Sequence, residues 1–79
     1  MTLRVLGTSW CSDCTRSKAL LDRHQIAYDW IDIETDEDAA REVEARNDGV
    51  RVVPTIVLED GSVLVEPSDE ELSAALGIA

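Results

Sequence analysis

The chain has 79 residues, 44% of them hydrophobic, with 17 acidic side chains against 7 basic ones for a net charge of −10. That length and apolar content describe one small domain, 1–79, with a modest core, and the negative charge argues against nonspecific binding to DNA, RNA or an anionic membrane. Two cysteines supply no disulfide framework, and no apolar run approaches membrane-spanning length.

Leu3, Val5 and Leu6 mark a first strand, Leu3 to Leu6, ended by Gly7. The loop Gly7-Thr8-Ser9 delivers Trp10 and Cys11 to the strand's carboxyl end, where binding sites of open α/β sheets lie. From Ser12 to about His24 the composition is helical, with Cys14 and Leu21 two turns apart and facing the sheet. Tyr28 to Ile33 reads as a second strand. Strand, helix and strand imply a right-handed crossover and a parallel pair.

The acidic run Glu34 to Asp38 leads into a second helix, about Glu37 to Arg46, with a thin stripe of Ala39, Ala40 and Val43. Asn47-Asp48-Gly49 ends it. Val50 to Val53 leads to Pro54, and Thr55 to Leu58 forms a third strand. Asp60-Gly61 reads as a two-residue hairpin turn into a fourth, antiparallel strand, Ser62 to Val65. Ser68 with Glu71 makes a capping box for the last helix, preceded by Pro67 and stopped by Gly77. The order is βαβαββα, an α/β domain with a four-stranded mixed sheet flanked by three helices.

The chemistry sits in Trp10-Cys11-Ser12-Asp13-Cys14. A Cys-x-x-Cys pair that follows a strand and opens a helix in a βαβ pattern reads as a redox dithiol. Unpaired N–H groups and the helix dipole at such a position favour thiolate over thiol. Cys11, nearer the loop, is the expected nucleophile. Cys14, one turn deeper, is placed to attack a mixed disulfide formed at Cys11. Arg16 and Lys18 are expected to assist the thiolate and Asp13 to oppose it. Pro54 opens a strand, where proline is tolerated. A cis bond there would instead turn the Val53 backbone toward an incoming chain or thiol beside Cys11.

These stretches resemble the glutaredoxin family of the thioredoxin-like fold, and within it the actinobacterial mycoredoxins. The resemblance rests on Thr8-Ser9-Trp10-Cys11-Ser12-Asp13-Cys14, Ile26-Ala27-Tyr28, Asp32-Ile33-Glu34, Arg51-Val52-Val53-Pro54-Thr55, Asp60-Gly61-Ser62 and Pro67-Ser68. It implies an oxidoreductase that reduces mixed disulfides between proteins and a low-molecular-weight thiol. Cys11 would be the nucleophile, Cys14 the resolving or modulating cysteine, and Val53 before a cis Pro54 the backbone clamp for the thiol or substrate. The Pro-Tyr common between glutaredoxin cysteines is Ser12-Asp13 here. The glycine pair and aspartate that hold a glutathione carboxylate are replaced by Glu66-Pro67-Ser68. Both departures point away from glutathione and toward mycothiol or a protein substrate, with mycothiol the expected cosubstrate and no tightly bound cofactor.

Two roles fit Trp10, a cover over the sulfur or a core anchor. Arg51 either binds a carboxylate of the thiol or answers nearby charge. Ser68 either receives an anion or simply caps. His24 belongs to the carboxyl end of the first helix. The rival functions are a thioredoxin-like donor recharged by a flavoprotein reductase, an iron–sulfur carrier built from two protomers, and a redox sensor. Zinc binding is weaker, because Cys11, Cys14 and His24 supply three ligands at unsuitable spacing. The expected partners are proteins carrying disulfides or mixed disulfides and a thiol or flavoprotein recycling system, with a monomer in the cytoplasm. The start, Met1-Thr2-Leu3-Arg4-Val5-Leu6, lacks signal-peptide length and a cleavage site. In that compartment an isolated dithiol is transient chemistry.

Overall fold

A computed structural model describes residues 3–78. Its elements are β1 Arg4–Gly7, α1 Ser12–Arg23, β2 Asp29–Asp32, α2 Glu37–Arg46, β3 Thr55–Val57, β4 Val63–Val65 and α3 Asp69–Leu76. The sheet order is β2-β1-β3-β4. Val5 lies opposite Trp30 of the parallel neighbour β2 and opposite Ile56 of the antiparallel neighbour β3. β4 closes the far edge as an antiparallel partner of β3. The expected α/β class, order and mixed pairing are therefore those of the molecule, and it is a thioredoxin-like fold.

Side chains alternate across a strand, and here the alternation divides the core. Val5 and Ile56 join Leu20 and Leu21 of α1 and Leu72 of α3. Leu6 and Val57 join Ala39, Ala40 and Val43 of α2. Helices α1 and α3 thus cover one face and α2 the other. Cys14 and Leu21 are fully buried, as their helical spacing predicts.

Each helix has a chemical start. The Asp36 carboxylate accepts from Ala39 N at 3.0 Å to begin α2. Ser68 and Glu71 form the reciprocal capping box of α3, and Gly77 closes it at φ 73°. The hairpin differs from expectation. Gly61 N donates to Leu58 O at 3.0 Å and Leu58 N to Ser62 O at 2.8 Å, so the loop is the three residues 59–61. The Asp60 carboxylate accepts from Ser62 N and Oγ. Only Gly61, at φ 90°, takes a left-handed conformation there, whereas a two-residue Asp-Gly turn needs one at Asp60 also.

Arg4 ties the central strand to α2 through a two-pronged pair with Glu42, at 2.9 and 2.7 Å. Arg46 adds a bond to the same carboxylate at 3.1 Å. No helix among the described residues is long and apolar enough to cross a membrane.

The hydrogen bonds from Arg4, and secondarily Arg46, hold the Glu42 carboxyl below its ordinary range despite partial burial. A depressed folded-state value contributes stability above the unfolded value and loses it as pH falls through the folded one. Glu42→Gln is therefore expected to lower the urea midpoint at neutral pH. The gap to the parent closes in acid below the ordinary carboxylate range, and parallel urea titrations across pH 2 to 7, about the span in which carboxylates titrate, check this.

Candidate active site

The carboxyl end of β1 and the start of α1 are joined by Thr8, Ser9 and Trp10, and this short loop sets the position of the first cysteine. Cys11 is the N-cap of α1, with extended backbone at φ −84° and ψ 117°. Its Sγ accepts from Cys14 N at 3.2 Å, the bond that an Asp or Ser oxygen makes in most helices. The sulfur is therefore placed against the unpaired amides and positive dipole end of the helix.

Cys11 is half-buried and Cys14 is inaccessible, and neither is in a disulfide. Burial, followed by the hydrogen bond with Cys11, pushes the Cys14 thiol up to about 12. A backbone bond from Thr8 and the charge of Lys18 act in the opposite direction. Cys14 packs directly on β1: a Cβ on Gly7 would collide with Cys14 Sγ and lie 3.0 Å from the Trp30 ring. Glycine at the end of β1 is thus required by the close approach of the second sulfur.

The opposite wall is the segment before β3. The Cys11 thiol donates to Val53 O at 3.9 Å. The Val53-Pro54 peptide is cis, and Pro54 O accepts from Glu66 N at 2.9 Å. Beside this wall lies a cavity of about 170 Å³ lined by Thr8, Trp10, Ile33, Glu34, Arg51 and Val53. Trp10 is 71% exposed, which removes it from the core, and its indole N–H donates to Glu34 Oε1 at 3.0 Å. Arg51 lines the cavity while its Nε donates to Glu44 Oε2 at 2.8 Å.

Trp10, Arg51 and Val53 therefore line one cavity; Cys11 reaches it through Val53 O, while Cys14 and Pro54 are buried behind it. Ser68 does not line it. Its N–H donates to Glu71 Oε1 and its Oγ accepts from Glu71 N, and it borders a separate hollow with Arg16, Asp69 and Glu70. His24 caps the carboxyl end of α1, about 18 Å of helix away from the dithiol.

The expected help from Arg16 and Lys18 to the first sulfur is not what the geometry provides. Arg16 pairs with Asp13 at 3.2 Å and Asp69 at 3.4 Å and donates to Pro67 O. Lys18 lies over the Trp30 ring, 3.7 Å from its centre. Both cations answer nearer partners, and Asp13, the carboxylate inside the motif, is matched by Arg16. Sequence reasoning also missed Gly7, Thr8 and Glu34 as parts of the site. A glycine ending a strand before a dithiol loop signals close approach. Glu34 follows β2, whose end is carried beside Gly7 by the parallel register and the bond from Ile33 N to Gly7 O.

The glutaredoxin family model matches residues 3–63. A Mycobacterium tuberculosis H37Rv protein named as a glutaredoxin is 46% identical over 74 residues, covering 94% of this chain and 88% of its own. Mycoredoxin 1 of Corynebacterium glutamicum is 36% identical over 72 residues, covering 91% and 89%. Among solved structures, the thioredoxin-like protein BC3987 superposes with a TM-score of 0.79 at 26% identity, covering 91% of this chain and 96% of that one.

A methyl group at position 7 must displace the second sulfur. Gly7→Ala is expected to cost about 1–3 kcal/mol by overpacking and, in a Cys11→Ser background, to speed alkylation of Cys14. Urea unfolding and mass-spectrometric alkylation rates check the two effects, and an unchanged alkylation rate contradicts the packing described.

Proposed function

The chain belongs to the glutaredoxin family of thiol-disulfide oxidoreductases, and from that premise we propose that its substrates are mixed disulfides between proteins and mycothiol. Cys11 is the nucleophile. Its thiolate attacks the small-thiol sulfur, the mixed disulfide breaks, and the protein leaves as a thiolate that takes up a proton. A second thiol molecule then clears the adduct from Cys11, with Cys14 as an optional resolving group. Val53 beside Pro54 clamps the incoming thiol, and Trp10 and Arg51 border it.

The observation that carries this reading is the half-buried Cys11 sulfur capping α1 against Val53 O, with Cys14 enclosed beneath it. Support for mycothiol over glutathione comes from the start of α3. Asp69, Glu70 and Glu71 fill its first turn, and Glu71 already occupies the Ser68 N–H. Arg16 is shared between Asp13 and Asp69. Carboxylates of a tripeptide meet like charge there. The likeness to a protein named mycoredoxin points the same way.

A second reading draws on the bond between Cys14 N and Cys11 Sγ, which keeps the two cysteines one turn apart. In it the pair reduces plain protein disulfides, leaves as an internal disulfide and is recharged by a flavoprotein reductase.

One carrier protein, loaded in turn with mycothiol and with glutathione, tests the proposal. The expected kcat/KM is higher for the mycothiol adduct by about tenfold, corresponding to about 1.4 kcal/mol in the transition state. Equal or reversed preference overturns the choice of thiol. Cys14→Ser is expected to keep most turnover on the mixed disulfide, and its complete loss favours the second reading.

A further inference from the structure

Of the chain's cations, Lys18 has an unusual setting. Arg4, Arg16, Arg41, Arg46 and Arg51 each pair with carboxylates, as expected where acids outnumber bases 17 to 7. Among the described residues Lys18 and Arg23 have no such pair, and of the two it is Lys18 that stands near the dithiol while Arg23 ends α1. The Lys18 ammonium lies instead 3.7 Å from the centre of the Trp30 ring, an arrangement that holds a cation over an aromatic face. That ring and Cys14 Sγ both press on the same point of β1, the α-carbon side of Gly7. Lys18 also stands one helical turn after Cys14, on the same side of α1.

We propose that Lys18, seated on Trp30, is a positioning residue for the second sulfur, making Cys14 available as a thiolate when it resolves an adduct on Cys11. The idea rests on the resolving role of Cys14 given above. The step requires Cys14 to give its proton to water. Its Sγ then bonds to Cys11 Sγ, the bond from Cys11 to the adduct sulfur breaks, and the departing thiolate takes up a proton. Over attack and resolution together the dithiol loses two electrons and the substrate disulfide, released as two thiols, gains them.

Burial opposes that deprotonation more than any other influence on Cys14. The groups that bear on it besides burial are Cys11 from the head of α1, the Thr8 N–H from the loop, and Lys18 from the next turn. Once Cys11 carries an adduct it bears no charge, so its repulsion of a Cys14 thiolate vanishes. Lys18 and the Thr8 N–H then remain as the favourable influences. Arg16 does not substitute, being held by Asp13 and Asp69.

An aromatic disulfide whose thiolate absorbs visible light separates the two steps in a stopped-flow instrument. One equivalent appears on attack by Cys11 and a second on resolution by Cys14. Lys18→Met keeps the apolar stem over Trp30 and removes the charge. It is expected to slow the second phase about tenfold more than the first and to move its pH profile upward by about one unit. Lys18→Arg is expected to restore the second phase, because a guanidinium also sits on an indole. A second phase in Lys18→Met that keeps pace with the first overturns the proposal, as does an arginine variant as slow as the methionine one. Cys14→Ser distinguishes the premise: a second phase that survives it overturns the resolving role and the Lys18 proposal together. If Cys14→Ser abolishes the phase and Lys18→Met leaves it intact, the Lys18 proposal alone falls.

Discussion

The site depends on a single substitution of chemistry at a helix start, sulfur where an oxygen usually caps. A helix leaves its first N–H groups without partners, and most sequences answer with serine or aspartate, as this chain does at Asp36 and Ser68. At α1 the answer is Cys11, through a bond from Cys14 N. The same contact fixes the sulfur's position, surrounds it with amide dipoles and leaves one side open to the groove. The proposed nucleophile and the helix cap are one atom. Even the second cysteine is located by it, since three residues from the cap a side chain returns to the helix's inner face.

That inner face explains the unequal fates of the two thiols. Cys14 is pressed between α1 and Gly7, out of water and pushed up to about 12, whereas Cys11 keeps partial exposure beside Val53 O. The surrounding charge is arranged with similar economy. Asp13 would oppose a thiolate if it stood alone, but Arg16 meets it and reaches on to Asp69 at the head of α3. In so acidic a protein the few cations are largely committed, and the pairings determine which carboxylates act as net charge near the site.

Much of this was legible in the order of residues. The strand and helix sequence, the dithiol loop, the capping box at Ser68 and the turn signal around Asp60 are all local patterns. The proline after Val53 marked the second wall because a rigid X-Pro opening a strand limits what the backbone there can present. Contacts made across the sheet were harder to foresee. Trp10 was left between two roles until the Glu34 pair and its exposure fixed it at the rim. Arg16 and Lys18 read as neighbours of the thiolate because they share its helix, while Arg16 is met by Asp13 of α1 and Asp69 of α3 and Lys18 by Trp30 of β2. The hairpin length turned on whether Asp60 would adopt a positive φ, a contest decided by its own side-chain bonds to Ser62.

The strand order also has a consequence for solubility. The sheet ends in β2 and β4, whose outer backbone edges are open to pairing with another chain. β2 is four residues with aspartate at both ends, and β4 is three residues followed at once by Glu66 at φ 47°. Such edges are too brief and too acidic to template a growing ribbon. The sheet is thereby protected from joining another chain along its sides.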